Sequence, residues 1–421
     1  MGKNDSGKPA CKYGADCYRT NPQHLAGFWH PKKGKRKGEN QDADDGNIGV
    51  AKKRKADGAD EPQLPGMSGD SDTKTSVEEK VEEKTECNEE DIEKESSQEC
   101  TDYAQPATPS DLDPREEIKW KFKMEMPEDF YDFWEFCQSL NKKNPKDALK
   151  DTLGLQLVGP YDVLAGNLKK TPQSKRSSYC LHWRYYYDPP EFQTIVRGDD
   201  ETQHHLGYFR DEPKELPVFV AANSAKKSCS ISAQGGNIFA AVKLHMDKLC
   251  KATKDKAEQS KIQSLQKPLT DWAKKCGHSL DSKSQAMKDR EKKVVAKTFH
   301  GTGIVVPIDA NEVGYRELPE TDANLKRIFK KIADSKNEDE RNKNFEPLDE
   351  IINFVQFAND ECDYGEGYEL GIDLFMYGSP VLHGTIRNVL PLAYTLLRRE
   401  EFGKILESHL EDRRKDDLSV T

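Results

Sequence analysis

The sequence predicts an α+β protein: a small zinc finger, a disordered linker, then a mixed α/β domain packed on a mainly helical C-terminal domain. Four metal-ligand residues lie close together near the N-terminus, a charged stretch almost free of aromatic residues follows, and apolar periodicity begins near residue 113. Charged residues make up 33% of the 421 residues, whereas ordinary globular domains have roughly 25%. Part of the chain is therefore expected not to pack.

The zinc finger is predicted over residues 8–31. Its ligands are Cys11, Cys17, His24 and His30, spaced as C-x5-C-x6-H-x5-H. Two thiolates and two imidazoles form the ligand set of a closed tetrahedral zinc site, and the metal supplies folding free energy that so short a segment lacks. The spacing departs from the finger that reads DNA, which has two close cysteines and about twelve residues before its histidines.

Three residues between the ligands are candidates for binding a nucleotide polymer. Tyr13 and Tyr18 offer ring faces for stacking and Arg19 offers a guanidinium for phosphate, although Tyr13 packing inside the finger is an equal alternative. With the ligand spacing included, the segment resembles the poly(ADP-ribose)-binding zinc finger. That resemblance implies that Tyr13, Tyr18 and Arg19 hold adenine and phosphate groups of the polymer.

Residues 32–112 are predicted to be a disordered linker. Two basic clusters, residues 32–37 and 52–55, are typical of a nuclear import signal, and any direct contact with DNA phosphates is at most nonspecific. The stretch from Ala56 to Leu112 is too polar to bury a core. We expect a tether that lets the finger reach a polymer while the rest of the chain is docked elsewhere.

The sequence predicts an intracellular protein with no membrane segment. The start of the chain is polar, the ten cysteines lack the spacing of a disulfide framework, and no run of about 18 apolar residues is present. No glycine fingerprint for dinucleotide binding follows a predicted strand, so we do not expect the chain to bind NAD by itself.

Residues 113–295 are predicted to form the mixed α/β domain. The aromatic residues between positions 183 and 209 favour a sheet core over a ligand pocket. The apolar pattern predicts a helix over residues 127–140, strands over 181–187, 191–196, 205–210 and 217–222, a helix after Gly236, and charged helices over 252–293.

Residues 296–415 are predicted to be mainly helical. Apolar side chains at helical spacing indicate helices over residues 321–336 and 347–358, and a last helical region over about 386–412. His300 precedes these helices and lines an interface or serves as a structural histidine.

Three carboxylates, Asp360, Glu361 and Asp363, follow the helix that ends near residue 358. Acids crowded at the negative end of a helix make ionisation less favourable for one another, so the pKa of at least one of them is expected to rise. An acid with a raised pKa is suited to act as a general base. Solvated acids are the simplest alternative. A divalent metal site of an independent hydrolase is another, although the acids do not follow a calcium-loop pattern and have no nearby histidine.

Long segments of residues 113–415 closely resemble the histone PARylation factor family. The resemblance implies an accessory factor that docks on the catalytic domain of DNA-damage-responsive poly(ADP-ribose) polymerases, completes a composite active site, directs modification to serine in histones, and limits chain elongation. NAD is then bound by the polymerase. The segments are QLVGPYDVLAG, HWRYYYDPPEFQT, GYFRDEP, NIFAAVKL, KKVVAKTFHGTG, VGYRELPETDA, FVQFANDECDYG and ELGIDLF.

Site roles follow from this resemblance by position. Glu361 matches the glutamate that deprotonates the acceptor serine, Asp360 matches its neighbour at the joint site, and Tyr315 with Arg316 matches the docking pair. Asp363 binds the partner or is solvated. The resemblance also implies nuclear chromatin at sites of DNA damage. The finger departs from the family pattern, so a non-catalytic adaptor that reads poly(ADP-ribose) on chromatin stays an alternative.

Overall fold

The structure is a computed structural model that describes Trp29 and residues 112–168, 178–416 and 418–419. The described residues from 112 onward belong to one compact unit, Asp102–Thr421. The four predicted zinc ligands, Tyr13, Tyr18, Arg19 and the linker lie outside the described residues.

Helices outnumber strands in this unit. The helices are α1 (Pro114–Phe122), α2 (Glu128–Leu140), α3 (Lys150–Leu153), α4 (Tyr161–Leu164), α5 (Ile238–Ala252), α6 (Lys256–Cys276), α7 (Gln285–Glu291), α8 (Asp322–Ala333), α9 (Glu338–Asp360), α10 (Gly365–Tyr377), α11 (His383–Leu396) and α12 (Glu400–Glu411). The strands are β1 (Gln156–Leu157), β2 (Phe192–Arg197), β3 (His204–Phe209), β4 (Phe219–Ser224), β5 (Ser232–Gly235), β6 (Val294–Ala296) and β7 (Ile304–Val305).

Strands β1 to β5 form an antiparallel sheet in sequence order, and β6 pairs with β7 in a separate antiparallel ribbon. The predicted strands over residues 191–196, 205–210 and 217–222 are confirmed as β2, β3 and β4. Tyr208 and Phe209 are buried, in agreement with a sheet core. The edge strands β1 and β5 were not predicted because they are too short to show apolar alternation.

The strand predicted over residues 181–187 is wrong. A short 3-10 helix, Tyr179–Leu181, ends there, and residues 182–188 form turns and irregular structure. Trp183 has a left-handed φ of 58°, and the buried Arg184 donates hydrogen bonds to backbone carbonyls on both sides of the segment. A buried guanidinium needs acceptors around it, so the backbone curls where the aromatic alternation indicated an extended strand.

The predicted helices are confirmed, with two changes that matter for the site. Helix α9 begins at Glu338 after the N-cap Asn337, so Pro347 lies inside the helix rather than at its start. The last predicted region is two helices, α11 and α12, which are separated by a turn in which Arg398 has a left-handed φ of 60°. Helix α10 is buried on all sides and packs between α9 and α11.

The sheet and the C-terminal helices share one continuous hydrophobic core. Buried polar groups also join them: the Glu191 carboxylate accepts hydrogen bonds from the hydroxyls of Tyr368 (2.6 Å) and Tyr394 (2.7 Å). The α+β class with a helical C-terminus is therefore confirmed for the described residues. The division between residues 295 and 296 stays a prediction.

His300 is a structural histidine. Its side chain is buried, its Nδ1 accepts a hydrogen bond from the Thr302 N–H (3.1 Å), and its carbonyl accepts one from the Ile231 N–H (2.9 Å). Burial lowers the pKa of His300 to about 3. The contacts favour the structural alternative over an interface role.

Candidate functional site

Helix α9 ends in a Schellman turn that separates the three carboxylates. The Asp363 N–H donates to the Ala358 carbonyl (2.8 Å), and Cys362 has a φ of 66°, the left-handed conformation that closes such turns. Asp360 and Glu361 therefore stay exposed to solvent, whereas the side chain of Asp363 turns inward and is buried.

Asp363 fixes a second loop against this helix end. Its Oδ1 accepts a hydrogen bond from the Gly314 N–H (2.9 Å), and its Oδ2 lies 3.2 Å from the Arg316 guanidinium. The Gly365 N–H at the start of α10 donates to the Gly314 carbonyl (2.9 Å). Residues 314–316 are thus held where α9 ends and α10 begins; we call them the docking loop.

Gly314 is required for this close approach. Its φ is +139°, and a Cβ built on it would lie 2.1 Å from the Pro307 carbonyl oxygen. Only glycine tolerates both conditions. The sequence alone gave no reason to single out this glycine, because the close approach comes from a segment seven residues earlier.

Arg316 is shared between two carboxylates. Its Nη2 contacts the Glu361 Oε2 as well as Asp363. The Glu361 side chain remains 48% exposed despite this pair, whereas that of Arg316 is 14% exposed. One face of the Glu361 carboxylate is therefore held by a cation while the other faces solvent, and Asp360 lies next to it on the same exposed rim.

Tyr315 faces inward to helix α10. Its hydroxyl donates a hydrogen bond to the Glu369 Oε2 (2.9 Å). Burial is the main cause that raises the pKa of Glu369 to about 7 and that of its neighbour Glu366 to about 8. Burial also raises the pKa of Asp373 to about 8, and its Oδ1 accepts from the Phe299 N–H (2.7 Å).

The structure brings Tyr315, Arg316, Glu361 and Asp363 into one network, with Asp360 at its edge. Three buried carboxyls of the next helix, those of Glu366, Glu369 and Asp373, have raised pKa values, and sequence reasoning missed them. Their spacing of i, i+3 and i+7 inside an otherwise apolar segment was the available signal, because that is the pattern of a buried helix face.

Exposed apolar side chains flank this network. Phe354 and Phe357, in the turns of α9 just before the acids, are 44% and 60% exposed, and Ile308, next to Gly314, is 48% exposed. Exposed large apolar side chains next to charged groups are typical of a surface that contacts another protein.

Two kinds of feature are absent from the described residues. No group of three or more His, Cys, Asp or Glu side chains among them is placed to hold a metal ion. In the same part of the chain, no helix is long and apolar enough to cross a membrane.

Glu361 is exposed beside the large apolar side chains of Phe354 and Phe357, a combination typical of proteins that bind other proteins. Two family models match the chain: that of Histone PARylation factor 1 over residues 113–413, and that of the PBZ domain over residues 8–33. The chain belongs to the histone PARylation factor 1 family and is an accessory factor of histone PARylation.

Curated relatives agree with this assignment. The chain is 52% identical to Histone PARylation factor 1 of Mus musculus over 316 residues, which cover 75% of this chain and 91% of the relative. It is 55% identical to the Danio rerio protein of that name over 304 residues (72% and 87%). The Bos taurus protein is 52% identical over 310 residues (74% and 89%).

Proposed function

We propose that this chain docks on the catalytic domain of a DNA-damage-responsive poly(ADP-ribose) polymerase and completes its active site for serine. Glu361 is the general base: it takes the proton of the serine hydroxyl while the serine oxygen bonds to the anomeric carbon of NAD and the bond to nicotinamide breaks, because a neutral hydroxyl is too weak a nucleophile to attack unaided. The observation that carries the proposal is the half-exposed carboxylate of Glu361 at the rim of the docking loop. NAD is bound by the polymerase.

The surrounding residues serve docking. Tyr315, Arg316 and Asp363 shape the surface that meets the polymerase, and Asp360 adds a second carboxylate at the joint site. The exposed rings of Phe354 and Phe357 supply apolar contact area beside the acids. Occupation of this surface close to the active site also limits chain elongation, since a growing polymer needs the same space.

The N-terminal finger retains the factor at modified chromatin in the nucleus. The donor set of Cys11, Cys17, His24 and His30 fits a tetrahedral zinc ion, which would supply the folding free energy of this segment. Tyr13, Tyr18 and Arg19 then bind poly(ADP-ribose) by stacking and phosphate pairing. The match to the PBZ domain over residues 8–33 supports this role.

The decisive test is Glu361→Gln in a reconstituted reaction with full-length polymerase, nicked DNA, NAD and histones. Loss of a general base is expected to lower serine modification by at least about 100-fold, while binding to the polymerase is retained. Glu350→Gln, which changes an exposed acid on the same helix α9, is the matched control and should behave as wild type. Near-normal serine labelling with Glu361→Gln would overturn the proposal.

A cellular assay run beside the reconstituted reaction tests the adaptor alternative. An adaptor that reads poly(ADP-ribose) predicts that Cys11→Ala removes most activity in cells while Glu361→Gln changes little. The proposed function predicts that Cys11→Ala lowers only retention at modified chromatin and leaves serine modification intact in the reconstituted reaction.

A further inference from the structure

Glu369 is buried in helix α10 beneath the docking loop, and its carboxylate accepts a hydrogen bond from that loop. Its Oε2 receives the Tyr315 hydroxyl at 2.9 Å, and about one tenth of the residue is exposed. The Tyr315 ring is the inward anchor of a loop whose next residue, Arg316, contacts Glu361. The hydrogen bond from Tyr315 to Glu369 therefore lies one residue away from the ion pair that holds the proposed base.

Gly314 and Arg316 provide the other attachments of the docking loop, since Arg316 also pairs with the buried Asp363. The Gly314 N–H donates to Asp363 and the Gly314 carbonyl accepts from Gly365, so both fix the start of the loop. The hydrogen bond to Glu369 fixes the Tyr315 hydroxyl, while the ring packs against the hydrophobic core. Without this bond, the loop would keep its contacts at Gly314 and the ion pair of Arg316 with Asp363, but lose the polar anchor directly before Arg316.

We propose that Glu369 is a positioning residue, which through Tyr315 holds Arg316 and Glu361 in the arrangement that docks on the polymerase. This inference rests on the proposed function. An ionised carboxylate is the stronger acceptor for a phenol hydroxyl, because hydrogen bonds to charged groups are about twice as strong as neutral ones. The anchor is therefore tighter when Glu369 has lost its proton.

Ionisation of Glu369 falls in the physiological range. Burial raises its pKa to about 7, and the hydrogen bond from Tyr315 opposes that rise. Docking is consequently expected to strengthen as pH increases through about 7. Five titratable groups face Glu369: Tyr315 and Glu317 from the preceding loop, Asp322 from α8, and Glu366 and Asp373 from its own helix. Two cations lie next to these groups, Arg316 beside Glu366 and Lys326 beside Asp373.

The test measures the affinity of the full chain for the polymerase catalytic domain between pH 6 and 8.5. The wild type should bind about tenfold more tightly at the upper end, as expected for a charged hydrogen bond. Glu369→Gln should lose this pH step and bind throughout like the wild type at low pH. Asp373→Asn is the matched control, since it removes a buried acid of the same helix whose partner is Phe299 rather than Tyr315.

Asp322→Asn keeps the test decisive if Glu369→Gln folds poorly. Asp322 is exposed, and its negative charge contributes to the raised pKa of Glu369. Its removal should move the pH step of docking to lower pH. Any one of three results would overturn the proposal. The pH step of docking could survive in Glu369→Gln, it could also be lost in Asp373→Asn, or it could stay at the same pH in Asp322→Asn.

Failure of this inference is distinguishable from failure of the proposed function. If only the inference is wrong, Glu369→Gln docks with the wild-type pH dependence, and Glu361→Gln still abolishes serine modification. If the proposed function is wrong, Glu361→Gln remains active whatever Glu369→Gln does.

Discussion

Two sets of acids lie within fourteen residues of each other and have opposite environments. Asp360 and Glu361, at the end of α9, are exposed, whereas Glu366, Glu369 and Asp373, along α10, are buried. The difference comes from one reversal of the chain at Cys362. Carboxylates of the same chemistry are thus divided into a set that faces solvent and a set that lies in the interior.

The largest effect should come from the acid at the boundary between the two sets. Asp363→Ala removes the acceptor of the Gly314 N–H and one partner of Arg316, and it leaves a buried donor unpaired. We expect the free energy of unfolding to fall by about 2–4 kcal/mol. Chemical denaturation measures this change.

Asp360→Ala is the matched control for that experiment. The residue is three positions away and exposed, so its removal should change stability by no more than about 0.5 kcal/mol. Equal losses for the two variants would mean that the burial difference does not decide their roles.

An intermediate effect is expected from Glu366→Gln, and it depends on pH. The pKa of Glu366 is raised to about 8 in the folded chain, chiefly by burial, whereas the unfolded group ionises near 4.5. Between these values the unfolded chain binds fewer protons, so the wild type loses stability as pH rises. The Gln variant does not share this loss. Its free energy of unfolding should therefore rise relative to that of the wild type by about 1 kcal/mol per pH unit between pH 5 and 8.

Denaturation of both proteins at several pH values would measure this difference. Groups remote from Glu366 behave alike in both proteins and cancel in the comparison. The gain should stop above pH 8, where the folded Glu366 is itself ionised. A stability difference that stays constant across this range would contradict the assigned environment of Glu366.

The smallest effect on stability is expected at Cys362, where the chain reverses direction between α9 and α10. Cys362 holds a φ of 66°, a conformation that L side chains adopt at a cost and glycine adopts freely. Cys362→Gly should stabilise the fold by about 0.5–1 kcal/mol, measured as a rise in the midpoint of chemical denaturation. Cys362→Ala, which keeps a Cβ, is the control and should give no such gain in stability. If Cys362→Gly instead destabilises the fold, the left-handed turn is not strained.

The sequence predicted the parts of this site that depend on local pattern. The apolar stripe of α9 places the acids at a helix end, and the helix is present. Sequence could not separate Asp363 from Asp360, because their burial depends on a left-handed turn and on Gly314, which arrives from another segment. The wrong strand at residues 181–187 has a similar cause, since the tertiary contacts of Arg184 override the aromatic alternation.

The buried acids of α10 show a different limit. Their helical spacing was readable, yet acids within an apolar segment do not reveal which loop will provide hydrogen bonds to them. Glu369 meets Tyr315, which is 54 residues earlier in the chain, and Asp373 meets Phe299, which is 74 residues earlier. Such pairings follow from packing of distant segments, which no local periodicity encodes.

The sharing of Arg316 between two carboxylates also affects how molecules approach the site. Asp360, Glu361 and Asp363 carry three formal negative charges, and one guanidinium partly neutralises them. The group is left negative by two units, with the exposed charge at its outer edge. Its field attracts positively charged segments before any contact forms, so the rate of encounter with a basic protein tail should fall as salt increases.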